Sequence, residues 1–193
     1  MEKIIKKELE ESSDVISKIS SMCINEIRES AEVISRCLKN GGKVLLCGNG
    51  GSAADSQHIA TELVIRLTSE LDRRALPAIA LTTNTSILTA GANDYGFEYV
   101  FSRQVEAFGK SGDVLIGIST SGNSENVVKA IIAAKKSGLF TIGLLGGNGG
   151  KLKEIVDLSI IIPSDRTTRI QEGHCVVGHI LCKLIEKKLF CGV

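Results

Sequence analysis

The sequence predicts an α/β domain: a three-layer sandwich with one five-stranded parallel sheet, helices on both faces, and further helices ahead of the first strand. Three observations predict it. Five short apolar runs, each too short for a helix, are separated by segments of helical character. The runs are apolar throughout rather than alternating, as in strands covered on both faces. The chain has 193 residues, 43% of them hydrophobic, which is enough for one core of this kind.

The elements follow in order. Residues 1–40 carry Ile16, Ile19, Cys23, Ile27, Ala31, Ile34 and Leu38 at intervals of three and four, which predicts helix. Asn40-Gly41-Gly42 ends that pattern. These helices precede the first strand, so they are not a crossover. Their apolar stripe needs a partner, either this chain's own sheet or another subunit, and the two are compatible. Residues 44–47 predict the first strand. Gly48-Asn49-Gly50-Gly51 then turns the chain, Ser52 stands where an N-cap belongs, and Ala53-Ala54 opens a helix. The charged stretch 69–74 reads as a surface loop, and residues 77–81 as the second strand. Residues 85–90 and 98–108 read as helices around a turn at 91–96 that contains Asn93, Asp94 and Tyr95. Strands at 113–118, 139–144 and 158–162 alternate with helices at 124–137, 151–156 and 166–190. No internal repeat or linker divides the chain.

Composition narrows the function. The formal charge is +1, which provides no strongly basic surface for nucleic acid. No apolar run approaches the roughly 18 residues of a membrane helix. The first residues, MEKIIKKELEESS, lack the apolar centre of a signal peptide. Six cysteines form no CxxC and several fall on apolar faces, so reduced, mostly buried thiols in a cytoplasmic protein are expected.

Ligands of such sheets sit beyond the carboxyl ends of the strands. Four loops belong there: 48–52, 82–86, 119–124 and 145–150. In the third, Ser119, Thr120, Ser121 and Ser124 surround one turn before a helix. One serine would be an ordinary cap; four hydroxyls with free N–H groups make a phosphate cradle that needs no lysine. No GxxxxGK[ST] is present, and Gly48-Asn49-Gly50 does not fit the dinucleotide fingerprint. The glycine turn and the following helix start form a second anion site. Farther along that helix, His58 and Glu62 are four apart and share a face, where they can move protons or hold a metal. On the last helix Gln171 and His179 are eight apart, about 80° around the axis. His174 lies on the other side of Gln171. Geometry alone leaves both His174 and His179 open as site residues.

Together, CGNGGSAADSQHIATEL, the AND turn followed by Tyr95, ISTSGNSENVV and RIQEGHCVVGHI resemble the phosphoheptose isomerase family, built on the sugar isomerase (SIS) domain. They occur in that family's order and span most of the chain from Lys43 onward. The resemblance implies an SIS-type fold, with residues 1–40 as a helical oligomerisation segment and 41–193 as the sugar-phosphate-binding core of one domain. It implies a homotetramer that converts sedoheptulose 7-phosphate to D-glycero-D-manno-heptose 7-phosphate for bacterial surface polysaccharide. It places substrate at Asn49, Gly50, Gly51, Ser52, Glu62, Asn93, Asp94 and Gln171, with Ser119, Thr120, Ser121 and Ser124 on the phosphate side. It matches His58, Glu62, Gln171 and His179 to zinc ligands, one ion per subunit, and Glu62 and His179 to an acid–base pair. That pattern selects His179 over His174. Some similar proteins are non-catalytic scaffolds for the replication initiator and typically lack the acid–base pair. Others are sugar-phosphate-responsive regulators, but this chain has no visible DNA-binding segment. The four residues His58, Glu62, Gln171 and His179 favour an enzyme.

Overall fold

The computed structural model describes residues 1–192. The five apolar runs pair as strands β1 (Val44–Gly48), β2 (Ala78–Ala80), β3 (Val114–Ser119), β4 (Phe140–Gly146) and β5 (Leu158–Ile162). They form one sheet in the order β2-β1-β3-β4-β5, with every pair parallel. Neighbouring side chains alternate between two cores. Val44 and Leu46 join the core on one face, while Leu45 and Cys47 join the core on the other. Both faces are therefore dry, which is why the strands are apolar at consecutive positions.

On the first face lie α1 (Glu2–Met22), α2 (Ile24–Lys39), α3 (Gly51–Val64) and α8 (Thr167–Phe190). On the other lie α5 (Val100–Phe108), α6 (Glu125–Lys136) and α7 (Gly150–Ile155). The remaining helix, α4 (Thr85–Asp94), follows β2. The N-terminal stripe breaks at Cys23, whose thiol donates to the Ile161 carbonyl at 3.4 Å. From Ile19 to Leu38 the stripe is buried in this chain's own core, whereas Ile16 is exposed. Ile4, Ile5 and Leu9 are exposed as well.

The structure corrects four local expectations. Ser52 is not the cap of α3. Gly50 takes that position with φ 54°, a backbone that glycine adopts without strain, and Ser52 is buried in the first turn. Asn93 and Asp94 are not in a turn but in the last turn of α4, which the Asn84 side chain caps by accepting from the Ile87 N–H. The reversal comes at Gly96, φ 100°, followed by a 3-10 turn over Phe97–Tyr99 that includes Glu98. Ser124 lies just outside α6 as its N-cap, without a capping hydrogen bond from its side chain. The stretch 69–74 is not wholly at the surface. The Arg73 side chain is buried; it donates to the carbonyls of Glu62 at 2.7 Å and Leu63 at 2.8 Å and to Glu186 Oε1.

The last helix is unbroken despite Gly173 and Gly178. Both are sites of close packing: a Cβ on Gly173 would meet Ile162 at 2.7 Å, and one on Gly178 would meet Ile59 at 2.9 Å. All six cysteines are free; four are buried, Cys175 is half-buried and Cys191 exposed. No helix among the described residues is long and apolar enough to cross a membrane.

Candidate active site

The site is built at the carboxyl edge of the sheet. β1 ends in the glycine turn, and Asn49 there exchanges two amide hydrogen bonds of 2.8 Å with Asn126 in the first turn of α6. The two helix starts that follow β1 and β3 are thereby tied together. Gly51 opens α3 with its Cα against Gln171, whose Nε2 would lie 1.3 Å from a Cβ at that position. The Gln171 amide thus covers the N-terminus of α3.

The serine loop follows β3. Ser119 Oγ and Ser124 Oγ share a hydrogen bond of 2.9 Å, while the Asn123 N–H donates to Ser121 Oγ at 3.2 Å. The first residues of a helix have no carbonyl four positions earlier within it, so the start of α6 can offer N–H groups to an anion; that of Val127 is already taken by the Ser124 carbonyl at 3.0 Å. Gly122, φ 66°, lets the loop touch the β4–α7 loop backbone to backbone. A Cβ there would sit 2.0 Å from the Gly149 carbonyl oxygen. The Leu152 N–H donates to the Gly122 carbonyl at 3.0 Å across the same joint. A cavity of about 190 Å³ opens beside it, lined by Thr120, Ser121, Gly147, Asn148, Asp165 and Thr167 among others.

Helices α3 and α8 carry the titratable groups. His58 Nε2 lies 2.7 Å from His179 Nε2 and 3.6 Å from Glu62 Oε1. Cys175, one turn before His179 on α8, joins them. The Cys175 sulfur and one nitrogen from each of His58 and His179 all lie within 4.8 Å of one another. The two imidazoles are open to solvent and the Glu62 side chain is largely covered. Burial raises the pKa of Asp55, one turn before His58 Cα, with the His58 charge opposing it. Burial also raises the Cys175 thiol, and the Asp55 charge adds to that.

His174 has a different place. It is fully buried, and its Nε2–H donates to the Leu145 carbonyl at 3.0 Å at the end of β4. Burial pushes its pKa down to about 4, against the opposing effect of that hydrogen bond. It is a neutral core histidine under the site.

Comparison with known proteins agrees with this architecture. Residues 9–146 match the SIS domain family model. The phosphoheptose isomerase of Clostridium acetobutylicum is 53% identical over 192 residues, covering 98% of this chain and 97% of that one. The chain belongs to the phosphoheptose isomerase family and is an enzyme. Two solved members of the family superpose closely. The Neisseria gonorrhoeae protein does so with a TM-score of 0.90 at 43% identity, covering 96% of this chain and 98% of that chain. The Francisella tularensis protein gives 0.92 at 38%, covering 96% and 97%.

Of the residues that the family resemblance suggests, the structure brings together His58, Glu62 and His179, and separately gathers Ser119, Thr120, Ser121 and Ser124. Asn49, Gly50, Gly51, Ser52 and Gln171 line the start of α3. Asn93 and Asp94 stand apart: they are exposed and bond to each other at 2.8 Å, and among the described residues no hydrogen bond joins them to either cluster. Four residues of the site carry no isolated signal in the sequence: Asn126, Asn148, Cys175 and Asp165. Asp165 is the most legible of them, since it precedes the start of α8 at a strand's carboxyl end.

Proposed function

We propose that this chain isomerises sedoheptulose 7-phosphate to D-glycero-D-manno-heptose 7-phosphate in the cytoplasm, for the heptose of bacterial surface polysaccharide. One observation carries the reading. The helix that begins at the glycine turn beside the serine cradle brings His58 and Glu62 to His179 two turns later. An extended sugar phosphate can anchor at Ser119, Thr120, Ser121 and Ser124 and bring C1 and C2 to that cluster.

The conversion moves a proton from C1 of the ketose to C2 through an enediol. In this reading Glu62 takes the C1 proton and delivers it to C2, while the His179 imidazole serves the two oxygens. Asn49, Gly51 and Gln171 offer hydrogen bonds to the sugar hydroxyls at the start of α3, and Gly50 and Ser52 flank that turn.

A zinc ion is part of the reading, one per subunit. The donor set fits it: two imidazole nitrogens converge with a carboxylate at hand. His58 and His179 would hold the ion, with Glu62 and Gln171 completing the family's set. When bound it would polarise the substrate carbonyl. In this structure Gln171 rests instead at Gly51, seven residues and about 10 Å of helix rise before His58.

Assembly as a homotetramer is also proposed, with residues 1–40 contributing to the interface. The exposed Ile4, Ile5, Leu9 and Ile16 of α1 support it, as does the openness of the His58–His179 pair. Turnover of sedoheptulose 7-phosphate by the purified chain is the test. Absence of turnover in the zinc-loaded oligomer would favour the non-catalytic scaffold.

A further inference from the structure

We infer that Asn123 is a positioning residue for phosphate recognition: it holds Ser121 in place by clamping the serine loop to the start of α7. The inference rests on the phosphate reading above and deepens it. It begins from α7, which cannot cap itself. Gly149 stands at its N-cap, with φ 86° and no side chain to accept a hydrogen bond. The first N–H groups of a helix have no partner within it. Here they are satisfied from outside. The Gly150 N–H donates to Asn148 Oδ1 at 3.0 Å, the Lys151 N–H to Asn123 Oδ1 at 3.0 Å, and the Leu152 N–H to the Gly122 carbonyl at 3.0 Å. Asn123 and Gly122 both belong to the serine loop.

The rest of Asn123 closes on that loop. Its Nδ2 donates to the Ser121 carbonyl at 2.9 Å, and its backbone N–H donates to Ser121 Oγ at 3.2 Å. An asparagine that only shapes a turn bonds within that turn. Asn123 also reaches Lys151, 28 residues on. Leu152, next to Lys151, is fully buried in the core beneath α7, so the clamp has a firm anchor. The consequence for Ser121 is chemical. A hydroxyl oxygen that accepts from a backbone N–H keeps its own O–H to donate. Ser121 is exposed and lines the cavity beside the loop together with Thr120 and Asn148. Its proton is available to a phosphate oxygen, and Asn123 acts on the ligand through it. Asn123 is itself exposed, so the clamp contributes little to overall stability. It sets the shape of the loop before the ligand arrives, which lowers the ordering cost of binding.

Steady-state kinetics with sedoheptulose 7-phosphate, and with inorganic phosphate as competing inhibitor, test this. Asn123→Ala should raise both KM and the phosphate inhibition constant by about fivefold, the scale of one hydrogen bond, with kcat unchanged within about twofold. Its urea midpoint should stay near that of the wild type. Ser121→Ala should have the same effect, and Ser121→Ala/Asn123→Ala should be little worse than either alone. Unchanged constants in Asn123→Ala beside raised ones in Ser119→Ala would overturn the inference and leave the phosphate reading standing. Fully additive losses would mean that Asn123 meets the phosphate independently of Ser121, which overturns the inference as well. If phosphate does not inhibit and no serine variant shifts KM, the phosphate reading itself fails, and this inference with it. Hydrogen exchange reads the clamp without turnover. The Lys151 N–H should exchange about tenfold faster in Asn123→Ala, and saturating inorganic phosphate should slow it in the wild type but not in the variant. A Lys151 exchange rate indifferent to phosphate in the wild type would show that the clamp and the ligand are not connected.

Discussion

Asn49 and Asn126 satisfy each other's amides in both directions at 2.8 Å, although 77 residues separate them. Asn126 is buried and also accepts from its neighbour Val127 N–H at 3.0 Å. The pair fixes the spacing between the glycine turn and the serine loop, the two places that offer N–H groups to an anion.

Asn126→Ala is expected to lower stability by about 1–3 kcal/mol, the cost of leaving a partly buried amide unpaired. The combined Asn49→Ala/Asn126→Ala variant should cost less than the sum of the two single changes. Urea unfolding of all three variants measures that coupling. Strict additivity would show that the pair does not act as a unit.

Ser119→Ala and Ser124→Ala should each weaken binding of sedoheptulose 7-phosphate by about 1 kcal/mol or more, roughly fivefold in KM. Each variant also strips the other hydroxyl of its 2.9 Å partner. Unchanged KM values in both variants would remove the phosphate from this loop.

Glu62→Gln should bind substrate and turn over about 10²-fold or more slowly, the usual scale for losing a general acid or base. His179→Ala should be as slow and should also lower zinc content by elemental analysis. Full activity of Glu62→Gln would end its acid–base role. Full activity of the chelated, metal-free enzyme would end the zinc role and leave the isomerase reading standing.

His174 gives the protein a pH-dependent stability. Its pKa falls from 6.5 to about 4 on folding because burial disfavours the charged ring. Above pH 6.5 the ring is neutral in both states and costs nothing. Between 6.5 and 4 the unfolded chain takes up a proton that the folded chain refuses, so stability falls as pH falls. By pH 5 the loss is about 2 kcal/mol. Denaturation curves at pH 7 and pH 5 should differ by that amount more in the wild type than in His174→Gln. His174→Ala should retain turnover per folded molecule while losing about 2 kcal/mol of stability to the orphaned Leu145 carbonyl and the cavity.

The sheet was legible because its evidence is redundant: five apolar runs, each flanked by helix, allow few other architectures. The place of the serine loop at the end of β3 was legible because the apolar run before it and the helix after it bound it closely. What escaped depends on partners distant in sequence. Arg73 sits in a charged stretch, and nothing nearby announces that Glu186, 113 residues later, will bury it. Cys175 reads as one more thiol on an apolar helix until His58 is placed beside it. Asn93 and Asp94 have the composition of a turn, but Asn84 starts α4 early enough for the helix to run through them. Ser52 has a capping side chain, yet Gly50 reaches the capping backbone first.

Arg73 has a consequence for anyone reshaping this molecule. Its guanidinium closes the end of α3 just after Glu62 and grips Glu186 on α8, two turns beyond His179. The spacing between the two helices that carry Glu62 and His179 is therefore set by a residue between α3 and β2. That connection has the length and polarity of a convenient place for a graft, a tag or a new chain terminus. Replacing it would remove one half of a buried ion pair, at about 3–5 kcal/mol. The loop is as much a part of the candidate site's frame as the strands beneath it.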